Sequence, residues 1–113
     1  MKKKNTEFHD YVLYDLFGDN PRIISRAMFG GYGLYYDGTI FGLIVDDTLY
    51  FKVNDTNRQE FISHKSKPFQ YDNGKKKVTM SYWEVPEEIM ENRDTLFAWM
   101  ETSANISRAP KKK

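Results

Sequence analysis

Apolar side chains recur at helical spacing through the first turns of the chain. Phe8, Val12 and Leu16 fall every fourth position, with Tyr11 and Asp15 beside them. This spacing predicts a helix that turns Phe8, Val12 and Leu16 toward a core. Asn5 or Thr6 suits its cap, and Glu7 and Asp10 place acids near the positive end of the helix dipole. Gly18 marks the stop, and Pro21 prevents continuation.

From Arg22 the period shortens to that of strands. Ile23 to Phe29, Tyr32 to Tyr36, Thr39 to Val45 and Thr48 to Val53 alternate with Gly30-Gly31, Asp37-Gly38 and Asp46-Asp47. Asp-Gly signals a two-residue hairpin, because a type I′ turn needs positive φ at both positions. Connections this short force antiparallel pairing of neighbours. Asn54-Asp55 then reads as the cap of a short helix through Arg58, Phe61 and Ile62.

Phe69-Gln70-Tyr71 and Lys77 to Val85 flank the turn Asp72-Asn73-Gly74, with Val78, Met80 and Tyr82 alternating against Thr79, Ser81 and Trp83. Pro86 suits the first position of a helix that opens with Glu87 and Glu88. Asn92 caps the last helix, whose inward stripe is Leu96, Trp99, Met100 and Ser103. The expected class is α+β: an antiparallel sheet with helices packed on it, ordered α-β3(4)-α-β2-α. Residues 6–108 are expected to form a single domain, between a basic tail at 1–5 and another at 109–113.

Charge changes this picture. The 113 residues carry 17 Lys and Arg against 16 Asp and Glu, a net +1. Six of the lysines sit in Lys2 to Lys4 and Lys111 to Lys113, so the body between holds 11 basic against 16 acidic residues, a balance of −5. An acidic body is a poor general binder of phosphate backbones, whose affinity comes from neutralised phosphates. An aromatic share of 16% and no cysteine point to an ample core without disulfides or thiolate zinc. No apolar run approaches the roughly 18 residues of a membrane span, and Glu7, His9 and Asp10 interrupt any signal-peptide core. A cytoplasmic protein without membrane contact is expected.

Candidate chemistry is sparse. His9 and His64 have no partner at ligand spacing, so both are expected at the surface, with no metal. Gly30-Gly31-Tyr32-Gly33 runs into a hairpin rather than a helix, so these glycines read as turn or bulge residues, not as a phosphate loop. Asp37, Asp46, Asp47, Asp55 and Asp72 sit at turns or caps, where carboxylates bond local backbone. Ser25, Ser63 and Ser81 lie outside any nucleophile-elbow pattern. No catalytic set emerges and no cofactor is expected.

The aromatic residues are more informative. Tyr32, Tyr35, Tyr36, Tyr50, Tyr71, Tyr82 and Trp83 place rings on both faces of the expected strands. Helices covering one face and a protein partner the other would account for them; base stacking is the alternative, and it needs a basic groove. The lysine tails and Lys75, Lys76 and Lys77 are the candidate tether to nucleic acid.

Two blocks carry a resemblance. Arg26-Ala27-Met28-Phe29-Gly30-Gly31-Tyr32-Gly33-Leu34-Tyr35, continuing through Phe41 to Ile44 and Leu49 to Val53, and Met80-Ser81-Tyr82-Trp83-Glu84-Val85-Pro86 resemble the TfoX N-terminal domain, the family of the TfoX/Sxy competence regulators. The likeness runs from about Phe8 to Ser103. It implies an α+β fold of the secretion-chaperone-like type and a regulatory, non-enzymatic role in DNA-uptake competence beside a cAMP-receptor-type activator. Larger members carry a helical C-terminal domain, and this chain is expected to be a single-domain member. The resemblance supplies no catalytic residues. Its motif residues Arg26, Met28, Phe29, Gly30, Gly31, Gly33, Tyr82, Trp83 and Glu84 are the candidate interaction residues, with Arg26 and Glu84 a candidate pair. A protein partner such as a transcription activator, or a second copy in a homodimer, is expected.

Overall fold

A computed structural model describes residues 7–28 and 30–108 of the chain. Helix α1 (Glu7–Asp10) widens directly into a π-helix, Tyr11–Leu16. Its turns close on the carbonyl five residues back instead of four, as in the 3.0 Å bond from the Phe17 amide to Val12. Helical spacing alone turns Val12 and Leu16 inward; the wider turn brings Phe17 onto the same face. All three are buried, and the Phe17 ring meets Phe41 edge-on at 5.8 Å. Gly18 ends the segment at φ +66°. The expected caps Asn5 and Thr6 lie outside the described residues, as do both lysine tails and Phe29.

Six strands follow the expected order: β1 (Ile23–Met28), β2 (Gly31–Tyr36), β3 (Thr39–Val45), β4 (Thr48–Lys52), β5 (Pro68–Asp72) and β6 (Lys77–Glu84). They form one antiparallel sheet, β1-β2-β3-β4-β6-β5. The fold is α+β, and the meander has four strands. Its turns use the left-handed backbone foreseen for Asp37-Gly38, and Asp46-Asp47 adopts it too, at φ 50° and 59°.

Helix α2 (Arg58–Ser63) starts later than Asn54-Asp55 suggests. The Asn54 carboxamide accepts the Thr56 amide, while the buried Asn57 bonds Lys52 and Asn54. These residues brace the turn ahead of the helix. Pro86 precedes helix α3 (Glu87–Met90) rather than opening it. Asn92 does cap helix α4 (Arg93–Arg108), accepting the Thr95 amide at 3.1 Å.

The helices lie on one face of the sheet. Leu96, Met100, Ser103 and Ala104 of α4 are buried there, with Leu34 and Tyr36 from β2, Phe41 and Ile44 from β3, and Leu49 and Phe51 from β4. The buried Ser103 hydroxyl donates to the Lys52 carbonyl at 2.8 Å, tying α4 to β4. A bulge sets the side-chain pattern: Tyr35 pairs with Ile40 but Leu34 with Gly42, which leaves Phe41 between them. One extra residue resets strand alternation. Phe41 and Ile44 therefore both face the helices, and Leu43 faces away.

Candidate interaction surface

Among the described residues no helix lies over the opposite face of the sheet, yet it is strongly apolar. Leu43, Tyr50 and Tyr82 form a second cluster there, with Met28, Ile40, Val45, Phe69 and Met80 packed around them. Leu43 is 2% exposed without any helix above it, because these neighbours close over it. Toward the two edges the same face opens, with Ile24 48% and Tyr71 44% exposed. A shallow cavity of about 440 Å³ lies among Leu43, Val45, Phe69, Tyr71 and Met80.

Two cations lie on tyrosine rings of this face. The Arg26 guanidinium sits 5.7 Å from the Tyr35 ring centre, and the Lys52 ammonium 5.0 Å from that of Tyr82. Burial pushes the Tyr50 phenol up, helped by the nearby Glu84 carboxylate, and burial does the same to Tyr82. Tyr50 and Tyr82 are only 8% exposed, and Phe69 tilts against Tyr50 at 5.0 Å. Rings so covered cannot stack on bases, which need an open π face.

The motif residues separate by role. Gly30 takes the positive-φ turn position, φ +76°. A Cβ on Gly31 would stand 2.1 Å from the Ile44 carbonyl oxygen, and one on Gly33 would stand 2.8 Å from the Met28 methyl group. These glycines let β2 approach β3 and let Met28 fold over the sheet. Arg26, Met28 and Tyr82 belong to the open face. Trp83 does not: it points to the helix side, where its ring meets Phe61 at 6.4 Å. Tyr32 and Tyr36 also pack against the helix-side core.

The candidate pair of Arg26 and Glu84 does not form. They end a single cross-strand row, Arg26, Gly33, Leu43, Tyr50, Glu84. Four interstrand steps of about 4.8 Å hold them about 19 Å apart. Lys75, Lys76 and Lys77 are exposed at and beside the β5–β6 turn, where exposed Tyr71, paired with Val78, is the nearest ring.

Elsewhere, His9 corrects the surface expectation. Its side chain is 13% exposed, shares a 2.8 Å hydrogen bond with the Ser25 hydroxyl, and lies 4.1 Å from the Tyr32 ring. His64 meets Glu88 at 2.5 Å on the rim of a cleft of about 540 Å³, whose wall also carries Glu87 and Glu91. The hydrogen bond from His64 holds the Glu88 carboxyl below its ordinary range. A general acid needs the opposite shift. No group of three or more metal-ligating side chains occurs among the described residues.

The family model described as the TfoX N-terminal domain matches residues 15–106. The chain belongs to this family. The TfoX N-terminal domain therefore has here the α+β architecture just described, and the match spans every strand. It is also similar to Protein Sxy of Escherichia coli (strain K12), 29% identical over 68 residues. That stretch is 60% of this chain and 32% of Sxy, so the likeness covers about a third of the relative. No helix among the described residues is long and apolar enough to cross a membrane.

Sequence reasoning did not pick out Ile24, Leu43 and Lys52 of this TfoX N-terminal domain for the open face. Apolar residues on both faces of a strand were visible, but the bulge that turns Leu43 outward leaves no mark in the alternation. The position of Ile24 at a sheet edge depends on strand order.

Proposed function

We propose that the chain is a cytoplasmic, non-catalytic regulatory domain of the competence-regulator type, acting by docking protein on its uncovered sheet face. One observation carries the reading: over the Leu43, Tyr50 and Tyr82 cluster the sheet face presents half-buried Met28, Ile40, Val45, Phe69 and Met80, and it opens to exposed Ile24 and Tyr71 at opposite edges. Contiguous apolar groups left open on a protein surface mark interaction sites. The acidic balance of the body and the covered tyrosines favour a protein over a nucleic acid. Family membership supports regulation, and a transcription activator is the class of partner this role calls for.

Capture from lysate of the native host by the immobilised full chain tests the reading. Ile24→Asp combined with Tyr71→Asp changes only exposed side chains, so the fold is expected to survive. A specific partner retained by the wild type and reduced about tenfold or more by this variant is the expected result. Equal capture by both proteins sinks it.

A further inference from the structure

The row across the open face is self-complementary. Arg26 and Glu84 stand at its ends, Gly33 and Tyr50 next to them, and Leu43 at its centre on β3. A two-fold axis in the plane of contact, parallel to β3 and passing over Leu43, reverses this order without changing its height. It sets Arg26 of one copy over Glu84 of the other, twice. It also brings the end of each Met28 against the partner's covered Tyr50, half-buried Ile40 and Val45 onto their own copies around the covered Leu43, and exposed Ile24 over the Lys52–Tyr82 contact.

We infer that the protein covering this face is a second copy of the chain, stacked sheet on sheet about this axis. The inference rests on the docking role proposed above and names the occupant. An isologous contact demands that residue i meet j while j meets i, and oppositely charged ends around an apolar centre satisfy that demand. Aligned sheets pack about 10 Å apart, a gap that an arginine and a glutamate side chain span together. Rotation about an axis perpendicular to the strands would instead set Arg26 on Arg26, so the charges also select the orientation. About this axis the span from β1 to β6 overlaps its own copy, four interstrand steps or about 19 Å, and β5 overhangs. A patch of that width lies at the small end of specific interfaces, so a reversible dimer forming at about 10–100 μM is expected.

Sedimentation velocity on the full chain from about 5 to 500 μM tests this. The wild type is expected to pass from monomer to dimer. Arg26→Glu alone and Glu84→Arg alone each create two like-charge contacts and should remain monomeric. An equimolar mixture of the two single variants restores opposite charges at both contacts, and should dimerise as a heterodimer. A structural role for either residue would give no rescue on mixing.

Should Glu84→Arg fail to fold, salt decides with Arg26→Glu, a change at an exposed edge position. Added salt weakens the wild-type dimer and strengthens the variant's, because screening acts on attraction and repulsion alike. The milder Arg26→Gln should raise the midpoint concentration about three- to tenfold. A wild type that stays monomeric at about 500 μM, absence of rescue, or a salt response of the same sign in both proteins overturns the inference. Partner capture lost in the Ile24/Tyr71 variant while the wild type is monomeric would overturn the second copy alone and leave the docking role standing.

Discussion

At single residues, the decisive feature is how closely backbones approach where side chains are missing. Gly31 and Gly33 sit two residues apart in one motif, yet added methyl groups would meet different neighbours. At Gly31 the obstacle is the Ile44 carbonyl, which β3 holds in place; at Gly33 it is the movable end of Met28. Gly31→Ala should therefore destabilise the domain by about 1–3 kcal/mol, the usual cost of forced overpacking. Gly33→Ala should stay within about 1 kcal/mol of the wild type, since Met adapts and a strand favours Ala over Gly. Urea unfolding of the two variants checks the contrast, and equal losses would contradict it. The Gly-Gly block is thus a condition of the sheet, while Arg26 and Met28 in the same block face outward.

Among the elements, the ends of helices and the irregular turns carry the geometry. Helix α2 ends in a Schellman arrangement: the Ser66 amide reaches Phe61 at 3.0 Å and the Lys65 amide reaches Ile62 at 2.9 Å. The residue between must be left-handed, and Lys65 stands there at φ +63°. Glycine is the usual occupant because it lacks the Cβ that makes this conformation costly. Lys65→Gly is expected to raise stability by up to about 1 kcal/mol, read as a higher denaturant midpoint with an unchanged slope. The π-helix and the β3 bulge work by a different means: each inserts a wider step that redirects one aromatic ring. Phe17 and Phe41 meet because both irregularities are present.

For the molecule as a whole, charge and burial set a window of stability against pH. The Arg22 hydrogen bond holds the exposed Asp37 carboxyl below its ordinary range, and His64 does the same to Glu88. A depressed folded pKa means that the unfolded chain takes the proton first. The stabilisation is therefore present above the ordinary carboxylate range, near 4, and is lost as pH falls through it. Tyr50 and Tyr82 are raised, chiefly by burial, so the unfolded chain ionises first above about pH 10 and stability falls there as well. Thermal unfolding should show a plateau between, with Asp37→Asn and Glu88→Gln each making the acid limb shallower. An acid limb of wild-type slope in both variants would show that these contacts carry nothing.

Local periods and turn chemistry were enough to specify the strands, their turns and most of the helix-side core. Val12 and Leu16 recur at helical spacing, Asp37-Gly38 carries its own backbone requirement, and Asn92 needs only the amide three residues on. The motif blocks were enough to identify the family. The remaining features arose from contacts between distant segments. Strand order placed Arg26 and Glu84 at the two ends of one row, although both lie in motif blocks. Packing set His9 half-buried against Ser25 and turned Trp83 toward Phe61, away from the surface its aromatic neighbours suggested. The bulge at Phe41 chose which face Leu43 occupies. Each of these depends on pairing between distant segments, and a surface is a property of that pairing: which side of the sheet the helices leave open exists only once the strands are assembled.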